Sequence, residues 1–219
     1  MKINEYIEYT QLSPQATYDD YEQLIQQALK YEFAGVCVPP FWVKKVKREL
    51  KKTPIQVVTV IGFPLGYQMS QIKGAEVSQA IRDGADELDL VMNLAAFRAS
   101  PRGWVKPEWA IISKQAHEAE KIVKVILETA YLSKEEIELA CKLASDAGVD
   151  FVKTSTGFAP EGAKVEDVRL MKGLVGDTMG VKASGGIKTY RQAIAMIEAG
   201  AERIGTSSGV AICQEPGEE

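Results

Sequence analysis

Between residues 7 and 209 the chain alternates short apolar runs with amphipathic stretches, and this alternation constrains its fold more than any other feature. The runs are Ile7–Leu12, Gly35–Pro40, Val57–Ile61, Asp86–Asn93, Ile122–Thr129, and the segments FVKTSTG, GVKASGG and RIGTSSG, which begin at Phe151, Gly180 and Arg203. Each reads as a strand. Between them lie helical stretches with recognisable ends. Thr17 is an N-cap ahead of Asp19 and Asp20, Met69 to Asp83 is stopped by Gly84, and Pro107 to Lys121 is a further helix. Ser133 and Glu136 form a capping box for a helix that ends at Gly148, and helices follow Val165 and span Tyr190 to Ala199. Strands apolar on both faces and joined by helices belong to parallel sheets covered on both sides. Eight such steps favour a closed (β/α)8 TIM barrel over an open doubly wound sheet, although 219 residues is short of the usual ~250. No linker or charge block divides the chain, so residues 1–219 are expected to form a single domain. The polar end QEPGEE, residues 214–219, is expected to fray.

Composition narrows the function. A net charge of −4 gives no reason to expect nucleic-acid binding. No apolar run approaches the ~20 residues of a membrane span, and the first residues lack the apolar core of a signal peptide. Cys37, Cys141 and Cys213 have no metal-ligand spacing and fit a reducing cytoplasm. The single histidine, His117, lies in a helical stretch and is expected at the surface. Neither a histidine-based triad nor a metal site is expected, so proton transfer falls to carboxylates, lysines or water.

Two lysines stand out. Lys153 follows Phe151 and Val152, and Lys182 follows Val181; small residues come after each. Burying an ammonium in an apolar strand is costly unless it is paired or neutral. A single such lysine often only snorkels to solvent. Two on successive strands offer a mechanism, because one ammonium disfavours protonation of the other, and a free amine attacks a carbonyl to give an imine. The residues alone leave open which lysine is the nucleophile. In ELDLV, Glu87, Asp89 and Val91 share one face, so Asp89 is a candidate general acid/base opposite the lysines, while Glu87 is placed near the lower rim or in a salt bridge. Lys124 and Glu128 share a parity and are expected to pair beneath the site; Glu8 is expected to point into or near it. Gly157, Gly185, Gly186, Gly205, Ser207 and Ser208 lie in loops that follow strands, where a barrel commonly holds phosphate on backbone N–H groups. Lys188 adds charge there. Cys37 reads as a small core residue.

The stretches FVKTSTGF, VKASGGI, DELDLVMN, VVTVIGFPLG, VILET and RIGTSSG closely resemble the deoxyribose-phosphate aldolases, a family of class I aldolases with the (β/α)8 fold, over nearly the whole chain. The resemblance implies that Lys153 forms the Schiff base, that Lys182 perturbs it and joins in proton transfer, and that Asp89 belongs to the proton relay. It also implies no metal or organic cofactor and a phosphosugar substrate. The implied reaction cleaves 2-deoxy-D-ribose 5-phosphate to acetaldehyde and D-glyceraldehyde 3-phosphate in deoxyribonucleoside catabolism. A homo-oligomer is implied as well. One departure concerns the first strand, where Glu8-Tyr9-Thr10 replaces the usual Asp-His-Thr, so that Tyr9 stands where the imidazole would be. Gln11 and Ser13 also depart from the pattern.

Overall fold

A computed structural model describes residues 1–214. The expected strands are all present: β1 (Ile7–Thr10), β2 (Gly35–Val38), β3 (Gln56–Ile61), β4 (Glu87–Val91), β5 (Ile122–Ile126), β6 (Phe151–Lys153), β7 (Gly180–Ser184) and β8 (Arg203–Thr206). They pair in parallel in chain order, and β8 returns to β1 to close the barrel. The chain is therefore the (β/α)8 barrel that its periodicity predicts. β1 is shorter than expected because the chain turns after Thr10, although Gln11 N still donates to Cys37 O at 2.9 Å.

The helices are α1 (Tyr18–Tyr31), α2 (Val43–Leu50), α3 (Ser70–Asp83), α4 (Leu94–Ala99), α5 (Lys106–His117), α6 (Lys134–Asp146), α7 (Val165–Val175), α8 (Tyr190–Glu198) and α9 (Gly209–Gln214). Thr17 caps α1 through a capping box with Asp20, and Ser133 caps α6 with Glu136 as expected. Thr189 and Gln192 form a third box on α8. The helix expected over 107–121 is α5, and it is preceded by two segments that were not expected, α4 and a π-helical segment Pro101–Val105. It ends early because Glu120 adopts φ 57° and turns the chain into β5. His117 is exposed there and its Nε2 lies 2.9 Å from Asp150. Of the tail expected to fray, Gln214 is the last residue of α9, and its Nε2 donates to the Tyr31 hydroxyl at 2.6 Å. Residues 215–219 lie outside the described residues.

The apolar core is a sleeve between the outward strand faces and the helices, built from Ile7, Val36, Val57, Leu88, Leu90, Val123, Val125, Val152 and Val181 against Leu24, Val77, Trp109, Ile137 and Val168. Each such side chain contributes about 1.5–3 kcal/mol on burial. Inside the barrel the chemistry differs. Register and alternation stack the inward side chains in levels drawn from alternate strands. Gly35, Glu87, Phe151 and Arg203 form the floor; Glu8, Val58, Lys124 and Lys182 lie above; Cys37, Asp89, Lys153 and Gly205 come next, beneath Thr10, Val60, Ile126 and Ser184 at the strand ends. The Arg203 guanidinium sits 5.9 Å from the Phe151 ring centroid, and that ring lies over Gly180, where a Cβ would come within 2.2 Å of it. The floor is thus closed by a ring and a cation. The top opens at the C-terminal ends of the strands.

Candidate active site

Five strands bring their charges to one point. Asp89 on β4 is fully buried, and its Oδ2 accepts from both Lys153 Nζ on β6 and Lys182 Nζ on β7, each at 2.7 Å. Its Oδ1 accepts from Lys124 Nζ on β5 at 3.2 Å. Glu8, on β1, bonds Lys182 through Oε2, and its Oε1 lies 3.4 Å from Lys124 and 3.9 Å from Arg203 Nε. Glu87 forms an ion pair with Lys124 from below. The expected pair of Lys124 with Glu128 does not form. β5 ends at Ile126, and Glu128 takes φ 58°, which swings its carboxylate to Thr156, whose N and Oγ1 both donate to it. The strand parity that linked the two residues no longer applies once the strand has ended.

Buried ions need partners, because losing water costs several kcal/mol per ion. Here the partners decide the charges. Burial pushes the Asp89 carboxyl up, but Lys124, Lys153 and Lys182 together hold it well below the ordinary aspartate value of 3.8. Burial likewise opposes ionisation of Glu8, and Lys124 and Lys182 overcome it. Lys182 is driven down by burial and raised by Asp89 and Glu8, with a net result above the ordinary lysine range. Lys124 behaves the same way towards Asp89, Glu8 and Glu87. Burial raises the Cys37 thiol to about 11. Cys37 packs with Val58 and Val60 as a core residue, as expected.

Above the lysines lies a pocket of about 250 Å³. Lys153 reaches it, while Lys182, Asp89, Glu8 and Lys124 lie beneath its lining. The loops after β6, β7 and β8 supply one wall, with Gly157, Gly185, Gly186, Lys188 and Ser207, and Gly205, expected in a loop, joins them from within β8. These predicted residues are brought together. Ser208 is not: it lies off the wall, with its N–H donating to Thr206 Oγ1 at 2.9 Å. The residues after β1, Gln11 to Ser13, complete the rim; Gln11 and Ser13 stand out in the sequence as departures from the family pattern, but not as lining residues. Phe63 and Phe158, from the loops after β3 and β6, meet edge-on near the mouth with centroids 5.3 Å apart. Nothing local in the sequence links those two rings. Tyr9 is not in the site. It points outward, packs on Phe33, and its hydroxyl donates to Gln27 Oε1 at 2.6 Å. Among the described residues no cluster of His, Cys, Asp and Glu is arranged to hold a metal ion, and no helix is long and apolar enough to cross a membrane.

Residues 5–215 match the family model described as DeoC/LacD family aldolase. A curated deoxyribose-phosphate aldolase of Thermococcus gammatolerans is 53% identical over 216 residues, covering 98% of this chain and 96% of the relative. That of Caldicellulosiruptor saccharolyticus is 50% identical and covers 98% of each. Among solved structures, a putative deoxyribose-phosphate aldolase from Coccidioides immitis superposes with a TM-score of 0.94 at 40% identity, covering 97% of this chain and 84% of that one. The enzyme from Aeropyrum pernix, described as a unique tetrameric structure, gives 0.91 at 35% identity, covering 97% of this chain and 89% of that one. With a closed barrel, a buried lysine pair on one aspartate and relatives this similar along its whole length, the chain belongs to the DeoC/LacD family of aldolases.

Proposed function

We propose that this aldolase reversibly cleaves 2-deoxy-D-ribose 5-phosphate to acetaldehyde and D-glyceraldehyde 3-phosphate through an imine on Lys153. The observation that carries the reading is the sharing of Asp89 Oδ2 by two lysines of different access. Lys182 is enclosed between two carboxylates, whereas Lys153 has one and lines the pocket. Lys153 can therefore shed its proton while Asp89 remains satisfied by Lys182 and Lys124. The free amine attacks C1 of the open-chain sugar, and loss of water with uptake of a proton gives the protonated imine. The C2–C3 bond then breaks. Its electrons pass to the imine nitrogen as an enamine forms, and the C3 hydroxyl proton leaves through water to Asp89. Glyceraldehyde 3-phosphate departs, the enamine takes a proton at C2, and water releases acetaldehyde.

Gly157, Gly185, Gly186, Gly205 and Ser207, with Lys188, hold the phosphate at the other end of the pocket. Ser208 supports that turn through Thr206 rather than by contact. Glu8 and Lys124 keep Asp89 and Lys182 ionised. The reaction serves deoxyribonucleoside breakdown, in a homo-oligomer as in the tetrameric Aeropyrum pernix relative. Three free cysteines favour a reducing cytoplasm. Incubation with acetaldehyde followed by borohydride and peptide mass mapping tests the proposal. A reduced two-carbon adduct is expected on Lys153; labelling of another residue alone, or none, overturns it.

A further inference from the structure

The turn after β7 does not stand alone. The long loop between β6 and α7 doubles back so that Gly162 lies directly on Gly185. A Cβ built on Gly162 would sit 2.1 Å from the Gly185 carbonyl oxygen and 2.3 Å from its carbon. These neighbours are backbone, which cannot swing aside as a long side chain can. The seat has other components. Ala163 N donates to Ser184 O at 3.1 Å and to Gly185 O at 3.0 Å. Glu161 and Lys164, flanking the pair, close on each other at 2.6 Å. Ser184 Oγ donates to Ser155 O at 2.6 Å, and a Cβ built on Gly185 would meet the Gly162 Cα at 3.0 Å, Ser155 Cβ at 3.4 Å and Gly157 Cα at 3.6 Å. The turn is thus held in a cup made by residues that follow Lys153 in the chain.

We propose that Gly162 is a positioning residue for substrate phosphate: it sets the height of the Gly185–Gly186 turn above Lys153 and so the span between the anion and the reacting carbonyl. The inference rests on the phosphate reading given above. Only a residue without a side chain permits the backbone contact, and a methyl group there displaces the turn by roughly an ångström, an error that can cost on the order of a hundredfold in a positioned reaction. Chemistry at Lys153 is untouched, because the displaced segment holds the far end of the substrate.

Gly162→Ala is to be assayed on 2-deoxyribose 5-phosphate and on unphosphorylated 2-deoxyribose, with inorganic phosphate as a competing probe. KM for the phosphorylated sugar is expected to rise about tenfold or more, and phosphate inhibition to weaken in step, while turnover of the free sugar stays within about twofold. Gly173→Ala on α7, where a Cβ meets nothing within 4 Å, serves as the control and leaves all three values unchanged. Should Gly162→Ala not fold, Ala163→Pro removes the N–H that ties the loop to the turn and is expected to produce the same split. If the native enzyme prefers the phosphorylated sugar and neither variant alters that preference, the positioning role is overturned and the phosphate reading stands. A parallel fall on both sugars also overturns it. A native enzyme with no preference for the phosphorylated sugar sinks both.

Discussion

Two lysines with the same strand position and the same carboxylate partner differ in what surrounds them. Lys182 is sealed between Glu8 and Asp89, while Lys153 meets the pocket, and this asymmetry bears on which amine reacts. Replacing Lys182 by Met keeps the apolar stem and removes the charge. Asp89 then has Lys153 as its sole partner on Oδ2. The expected result is a fall in turnover at neutral pH of about a hundredfold or more, partly recovered on the alkaline side. A pH–rate profile superimposable on the native one would contradict this role. The sequence made the lysine pair and Asp89 legible, because charged residues in apolar strands demand a reason. It did not make the partners of Lys124 legible. Those depend on the register of β5 against β4 and on where β5 ends, and a one-residue change in either alters every contact.

At the scale of elements, helix ends were the most readable feature, since a capping box needs only two residues at fixed spacing. Thr189 and Gln192 carry the same signal as Ser133 and Glu136, and a search for Gln as well as Glu would have found it. The passage from α4 to α5 was unreadable for the opposite reason: six residues of helix followed by a π-helical segment have no periodicity long enough to register. Another element-level contact also escaped the sequence. Lys73 of α3, fully buried, donates to Val91 O on β4 at 3.0 Å and to Glu108 of α5 at 2.8 Å, and Glu108 also accepts from Ser70 at 2.7 Å. This ties two helices to the sheet on the outer side. Glu108→Ala leaves a buried ammonium without its contacting carboxylate and is expected to cost about 3–5 kcal/mol. Urea denaturation measures it; a loss below about 1 kcal/mol would mean that Lys73 finds another partner.

Taken as one molecule, the barrel keeps carboxylates in its interior that are ionised against burial, and this fixes how stability varies with pH. Glu8 and Asp89 have pKa values lowered in the folded chain from ordinary values of 4.5 and 3.8. Their contribution is therefore fully present above those values and is lost as the pH falls through the lower, folded ones. The urea midpoint is expected to be flat near neutrality and to drop below about pH 4.5, and Glu8→Gln is expected to lose less across that acid range than the native chain. Equal acid slopes for the two proteins would remove Glu8 from the account. The closed wall has one more consequence. Glu8 and Tyr9 are consecutive residues, yet the pleat sends one among the lysines and the other out to Phe33 and Gln27. Adjacent residues thus answer to separate surroundings, one to the buried charges and one to packing outside the barrel. A substitution at position 9 is therefore felt first by Phe33 and Gln27, and one at position 8 by Lys182 and Lys124, with no side chain common to the two neighbourhoods.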